Sequence, residues 1–87
     1  MKIKEGYILR EVAGNYIVVA VGNAVKNFNG VINLNESGAF LWKVLEKGAS
    51  IEQLKKELLG EYDVEESVAE ADINSFIGKL EEKGLLE

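Results

Sequence analysis

Apolar residues near the start of the chain come in short runs, whereas later they recur at helical intervals. Residues 7–12 and 16–21 are rich in Ile, Val, Tyr and Leu and predict two strands, β1 and β2. Gly14-Asn15 between them suits a tight hairpin turn that needs positive φ. The run Tyr16-Ile17-Val18-Val19-Ala20-Val21 hardly alternates, the pattern of a strand that is central or covered on both faces. Residues 22–29 are polar apart from Ala24, Val25 and Phe28 and rich in asparagine, so a loop is expected. Residues 30–34 then predict a short β3, with Ile32 and Leu34 on one face and Val31 and Asn33 on the other. As the last strand of a meander, β3 is expected at a sheet edge, with unpaired backbone groups on one side.

From Asn35 onward the period changes to that of helices. Asn35 is a good N-cap, and Phe40, Leu41, Val44 and Leu45 share one face of a helix α1 that Gly48 stops. Ser50 with Gln53 is a capping-box pair, after which Ile51, Leu54, Leu58, Leu59 and Tyr62 predict α2, ending near Gly60. Asp63 with Glu66, or Ser67 with Glu70, offers a cap for α3, which runs to about Lys83 and closes at Gly84. Ala69, Ile73, Phe76, Ile77 and Leu80 form its apolar stripe. Val68, Ala71, Ser75 and Gly78 form a second stripe of small residues, which either packs under the protein's own strands or admits something else. The expected fold is α+β and winged-helix-like, a three-stranded antiparallel sheet followed by three α-helices, in one domain over residues 1–87.

Composition narrows the function. With 87 residues the chain buries only about 60–65% of its unfolded surface, too little for a core and an enclosed catalytic cavity. Function is therefore expected on the outside. No apolar run approaches the roughly 20 residues that span a bilayer, and the start lacks the apolar stretch of a signal peptide, so a cytoplasmic location is expected. Lys and Arg number 10 against 15 Asp and Glu, a net charge of -5. A winged-helix fold invites a comparison with DNA readers. Here the candidate reading helix presents Glu65, Glu66, Glu70, Asp72, Glu81 and Glu82 against only Lys79 and Lys83, which repels phosphate.

The chain has no His and no Cys, which removes the usual general base and the thiol nucleophile. No enzymatic activity is expected, and Ser37, Ser50, Ser67 and Ser75 have no evident activator. The acidic clusters at Glu65-Glu66, Glu70 with Asp72, and Glu81-Glu82 read as a solvated helix face, since no glycine-bearing loop converges oxygens on a cation. Gly22, Gly30 and Gly38 make no phosphate loop, so no metal or cofactor is expected. Trp42 falls beside the α1 stripe and reads as core-edge packing, and Tyr62 as core.

The run from Phe28 through Asn29, Gly30, Val31, Ile32, Asn33 and Leu34 to Asn35-Glu36-Ser37-Gly38-Ala39-Phe40-Leu41-Trp42 resembles the PqqD family. The later Gly48, Glu61-Tyr62-Asp63-Val64, and Asp72 with Phe76, Leu80 and Gly84-Leu85-Leu86 extend that resemblance over nearly the whole chain. Members of this family are peptide chaperones in the making of ribosomally synthesised, modified peptides, and their domain is the RiPP recognition element. The resemblance implies that the leader segment of a precursor peptide adds as a strand to β3, in a groove between β3 and α3. It further implies presentation to a modifying enzyme of the radical S-adenosylmethionine class. On that mapping Val31, Ile32, Asn33 and Leu34 contribute mainly backbone bonds, and Val68, Ala71, Asp72, Ser75 and Lys79 line the helix side. Asp72 also reads as a structural hydrogen-bond acceptor.

An edge strand that offers a backbone ladder to an extended peptide fits this mode independently of the resemblance. The competing reading is a regulatory or protein-interaction winged-helix domain that docks on an enzyme without binding leader peptide. A monomer is expected, with edge-strand pairing or strand exchange as the route to a dimer.

Overall fold

The computed structural model describes residues 1–26 and 30–87. Residues 27–29, the end of the expected loop and the Phe28 and Asn29 of the family-like run, lie outside the described residues. β1 (Tyr7–Val12) and β2 (Asn15–Ala20) form an antiparallel hairpin, and β3 (Val31–Leu34) pairs antiparallel with the other side of β2, giving the order β1-β2-β3. The hairpin turn is Ala13-Gly14, one residue earlier than expected: φ is 52° at Ala13 and 82° at Gly14, while Asn15 already pairs with Val12. A two-residue turn of this hand matches strand twist, and that match outweighs the poor fit of alanine to positive φ. Beyond Ala20, the last residue of β2, the amide of Val21 donates to the Gly6 carbonyl at 2.7 Å, in the same register as the β1–β2 pairs. Gly22–Lys26 then winds as a short 3-10 turn where an irregular loop was expected.

The inner face of the sheet buries Val18, Ile32 and Leu34 and packs Tyr7, Leu9 and Tyr16 against the same core. On the outer face Val31 and Val12 are about half exposed, at 54% and 53%. β2 lacks alternation because it is the central strand, with Ile17 and Val19 half-buried on the outer side.

α1 (Glu36–Glu46) follows β3 after one residue, Asn35, whose side chain accepts from the Gly38 amide at 2.7 Å. Its buried stripe is Gly38, Leu41, Trp42 and Leu45, with Ala39 beside it, at offsets of three, four and seven residues. Phe40 and Val44, expected in the stripe, are only partly buried. Gly38 hides the first stripe position from a hydropathy reading, which shifts the apparent face by one residue. Trp42 is thus not at the core edge: it is 0% exposed, and among the described residues its indole Nε1 has no hydrogen-bond partner.

α2 (Ile51–Glu61) begins on a complete capping box, with the Gln53 amide donating to Ser50 Oγ at 3.1 Å and the Ser50 amide to Gln53 Oε1 at 2.9 Å. Gly60 lies inside the helix, which ends where Tyr62 turns extended at φ -120° and ψ 143°. α3 (Glu66–Lys83) starts from Glu65, which makes no side-chain cap; neither Asp63 nor Ser67 takes that role. Lys55 of α2 holds this end instead, pairing with Glu66 and, at 2.7 Å, with Glu70. The two carboxylates raise the Lys55 pKa, and the Lys55 ammonium lowers that of Glu66. At the other end Gly84, at φ 73°, closes the helix, and the Leu85 amide donates to the Leu80 carbonyl at 2.9 Å.

Ala69, Ile73, Phe76, Ile77 and Leu80 of α3 meet Leu54 and Leu58 of α2 and the α1 stripe in one core. Both chain ends are tied to it: Ile3 and Leu86 form a bridge, Lys4 N donates to Leu85 O, and the Met1 amino group donates to Ala49 O, the last two at 2.9 Å. The architecture is the expected α+β class, three antiparallel strands followed by three helices. No helix among the described residues is long and apolar enough to cross a membrane.

Candidate functional site

The geometry of β3 follows from the hairpin. A two-residue turn makes its flanking pair, Val12 and Asn15, a hydrogen-bonded pair, and such pairs alternate along an antiparallel ladder. Asn15, Ile17 and Val19 therefore direct their backbone groups to β1, and Tyr16 and Val18 direct theirs to β3. Their partners Leu34 and Ile32 are the residues of β3 bonded to β2. Val31 and Asn33 consequently turn their N–H and C=O outward, away from β2. Among the described residues no other backbone group meets them. The same two residues expose their side chains on the outer face, while Ile32 and Leu34 send theirs into the core.

Beside the end of this strand lies a groove. Because α1 starts one residue after β3, Asn35 spends its side chain on the cap, and Ser37 Oγ donates to the same Oδ1 at 3.1 Å. Gly38 allows the close approach: a Cβ there would stand 3.0 Å from Asn35 Oδ1 and 3.5 Å from Leu34 Cβ. Opposite runs the face of α3 adjoining its core stripe. Between the two is a hollow of about 220 Å³, with Leu34, Leu41 and Phe76 as apolar walls. Asn35, Ser37, Asp72, Ser75 and Lys79 line its rim.

A second hollow, of about 300 Å³, continues past the end of β3 and shares Asn35, Ser37 and Asp72 with the first. Leu58, Tyr62 and Val64 wall it, and Glu36 adds a carboxylate. Tyr62 packs edge-on against Phe40, with ring centroids 5.7 Å apart at 87°. Burial, then the nearby charges of Glu36 and Glu61, raise the pKa of its phenol.

The structure thus brings Leu34, Asp72, Ser75 and Lys79 of the expected site together in one hollow. Val31 and Asn33 lie on the open edge, and Ile32 faces the core. Val68 and Ala71 are exposed on α3 but line neither hollow. The small stripe of Val68, Ala71, Ser75 and Gly78 does not pack under the strands, since all of it is exposed. Asp72 takes no hydrogen bond or ion pair among the described residues, which removes its reading as a structural acceptor. Sequence reasoning missed Asn35, Ser37, Gly38, Leu41 and Phe76 as lining residues. The signal was present in a cap placed directly after a strand, which forces the first turn of α1 beside the strand end.

Fold and groove together define a small winged-helix-like domain with an open strand edge set against a helix. The chain belongs to the PqqD family: the family model for coenzyme PQQ synthesis protein D (PqqD) matches residues 15–86. Among solved structures, it is similar to TbiB1 in complex with the TbiA(beta) leader peptide, with a TM-score of 0.76 and 24% identity over 100% of this chain and 95% of that one. It is also similar to a lasso peptide synthetase B1 complexed with the leader peptide, with a TM-score of 0.74 and 22% identity over 99% and 95%. No curated protein matches the chain in sequence.

Proposed function

We propose that this domain is a non-catalytic peptide chaperone that binds the leader segment of a ribosomally synthesised precursor by strand addition to β3. It then presents the precursor to a modifying enzyme, of the radical S-adenosylmethionine class on the family's pattern. The observation that carries the reading is the outward backbone of Val31 and Asn33 beside a groove with apolar walls. The edge supplies sequence-independent bonds, and the hollow selects the side chain that enters it. Membership of the PqqD family and the leader peptides bound by both structural relatives support it. In this arrangement Val31 and Asn33 give backbone bonds, Ile32 and Leu34 hold the strand in place, and Asp72, Ser75 and Lys79 meet the peptide's side chains. Val68 and Ala71 form the outer lip of α3.

The test is a fluorescence-anisotropy titration with the leader segment of a candidate precursor peptide. Asn33→Pro removes an outward donor without touching the β2 ladder, so the expected loss in affinity is about threefold to tenfold, one hydrogen bond's worth. Ser75→Trp fills the hollow and is expected to weaken binding at least as much. A domain that captures the modifying enzyme but no leader would replace this proposal with the regulatory reading.

A further inference from the structure

The second hollow has features that strand addition to β3 does not use. It lies past the end of β3, so a segment running along that edge and continuing over Asn35 passes onto it. Its walls are apolar: Leu58 is buried, and Tyr62 and Val64 stand at the mouth. Its charged lining is of one sign, Glu36 and Asp72, with no Lys or Arg among the lining residues. Neither carboxylate forms an ion pair or a side-chain hydrogen bond among the described residues, whereas Glu66 and Glu70 nearby on α3 are both taken by Lys55. The first hollow differs, since Lys79 offsets Asp72 at its rim about 10 Å along the helix.

Resting on the strand-addition reading, we propose that this hollow is a second subsite, which takes a lysine or arginine side chain of the bound peptide just beyond the segment paired with β3. The aliphatic stem lies along Leu58, Tyr62 and Val64, and the cationic head reaches Glu36 and Asp72 at the wet mouth. Long basic side chains divide themselves in this way between apolar surface and water. A short or acidic side chain fits neither requirement. The positive end of the α1 dipole opposes a cation here, but Glu36 in the first helical turn already meets it. Glu36 and Asp72 make the field at the hollow negative, and after burial the charges of Glu36 and Glu61 add to the raised phenol pKa of Tyr62. The first hollow takes an apolar residue and the second a basic one, so the two subsites define a spacing, and with it a register for the peptide on β3.

The probe is a random linear-peptide display library selected on the intact domain, followed by binding measurements on enriched synthetic peptides. Enriched sequences are expected to carry Lys or Arg at a fixed offset from an apolar residue. Replacing that basic residue by norleucine is expected to weaken binding about threefold to tenfold at low salt, the range of one or two partly exposed ion pairs. The same replacement is expected to have little effect on the double variant Glu36→Gln with Asp72→Asn, whose melting temperature controls for folding. Peptides that bind the edge, as judged by weakening with Asn33→Pro and with Ser75→Trp, but show no basic preference would overturn the subsite and leave strand addition standing. No enrichment, or binding indifferent to both edge and groove variants, would overturn both.

Discussion

Ala13 holds the hairpin turn at a φ of 52°, where an L side chain crowds the following carbonyl and loses about 1–2 kcal/mol. Ala13→Asn, giving the Asn-Gly pair that this turn favours, is expected to stabilise the domain by about 0.5–1 kcal/mol. In a domain of this size such a gain raises the melting temperature by roughly 2–8 °C, readable by circular dichroism. Trp42 is the opposite case. It is fully buried, so Trp42→Ala is expected to lose about 3–5 kcal/mol in urea denaturation, much of the stability of a small domain. Trp42→Phe should lose far less, because it fills most of the space and also removes an indole donor that has no partner among the described residues. Both side chains were misplaced from sequence for local reasons. Alanine does not advertise positive φ, and the glycine at position 38 concealed the start of the stripe to which Trp42 belongs.

At the level of elements, α3 is anchored at its start by charge and not by a cap. The Glu66 pKa is lowered, so its contribution is complete above the ordinary carboxylate value of 4.5 and is lost as pH falls through the lowered one. The Lys55 pKa is raised, so its contribution holds below the ordinary 10.5 and is lost as pH rises through the raised value. Lys55→Gln is therefore expected to destabilise the domain across that window, with the difference from wild type shrinking toward acid. A destabilisation that grows toward acid would contradict the pairing. Strand existence, the edge position of β3 and the alternation of Ile32 and Leu34 against Val31 and Asn33 were legible, because a short alternating run after a hairpin has few other placements. The start of α3 was not, since Asp63 and Ser67 look like caps until Lys55 arrives from another helix. The lining residues of α1 were equally hidden: their role depends on how closely Gly38 lets two elements approach, which no single-element pattern encodes.

At the scale of the whole molecule, a net charge of -5 and an acidic α3 set charge repulsion against phosphate on the helix that a winged-helix domain would place on DNA. No retardation of random duplex DNA is expected at physiological salt. The open β3 edge is kept short, at four residues, which limits pairing between copies, and sedimentation is expected to give a monomer at low micromolar concentration. The outward edge of β3 thus lies beside the groove, supported by a core that ties both chain ends to α3 and to the α1–α2 turn. The most direct test is amide hydrogen exchange, residue by residue, with and without the leader peptide. The amides of Val31 and Asn33 should exchange freely in the free domain and become protected in the complex, while those of Ile32 and Leu34, already bonded to β2, change little. Protection that appears on β1 or α2 and leaves Val31 and Asn33 exchanging freely would contradict strand addition at β3.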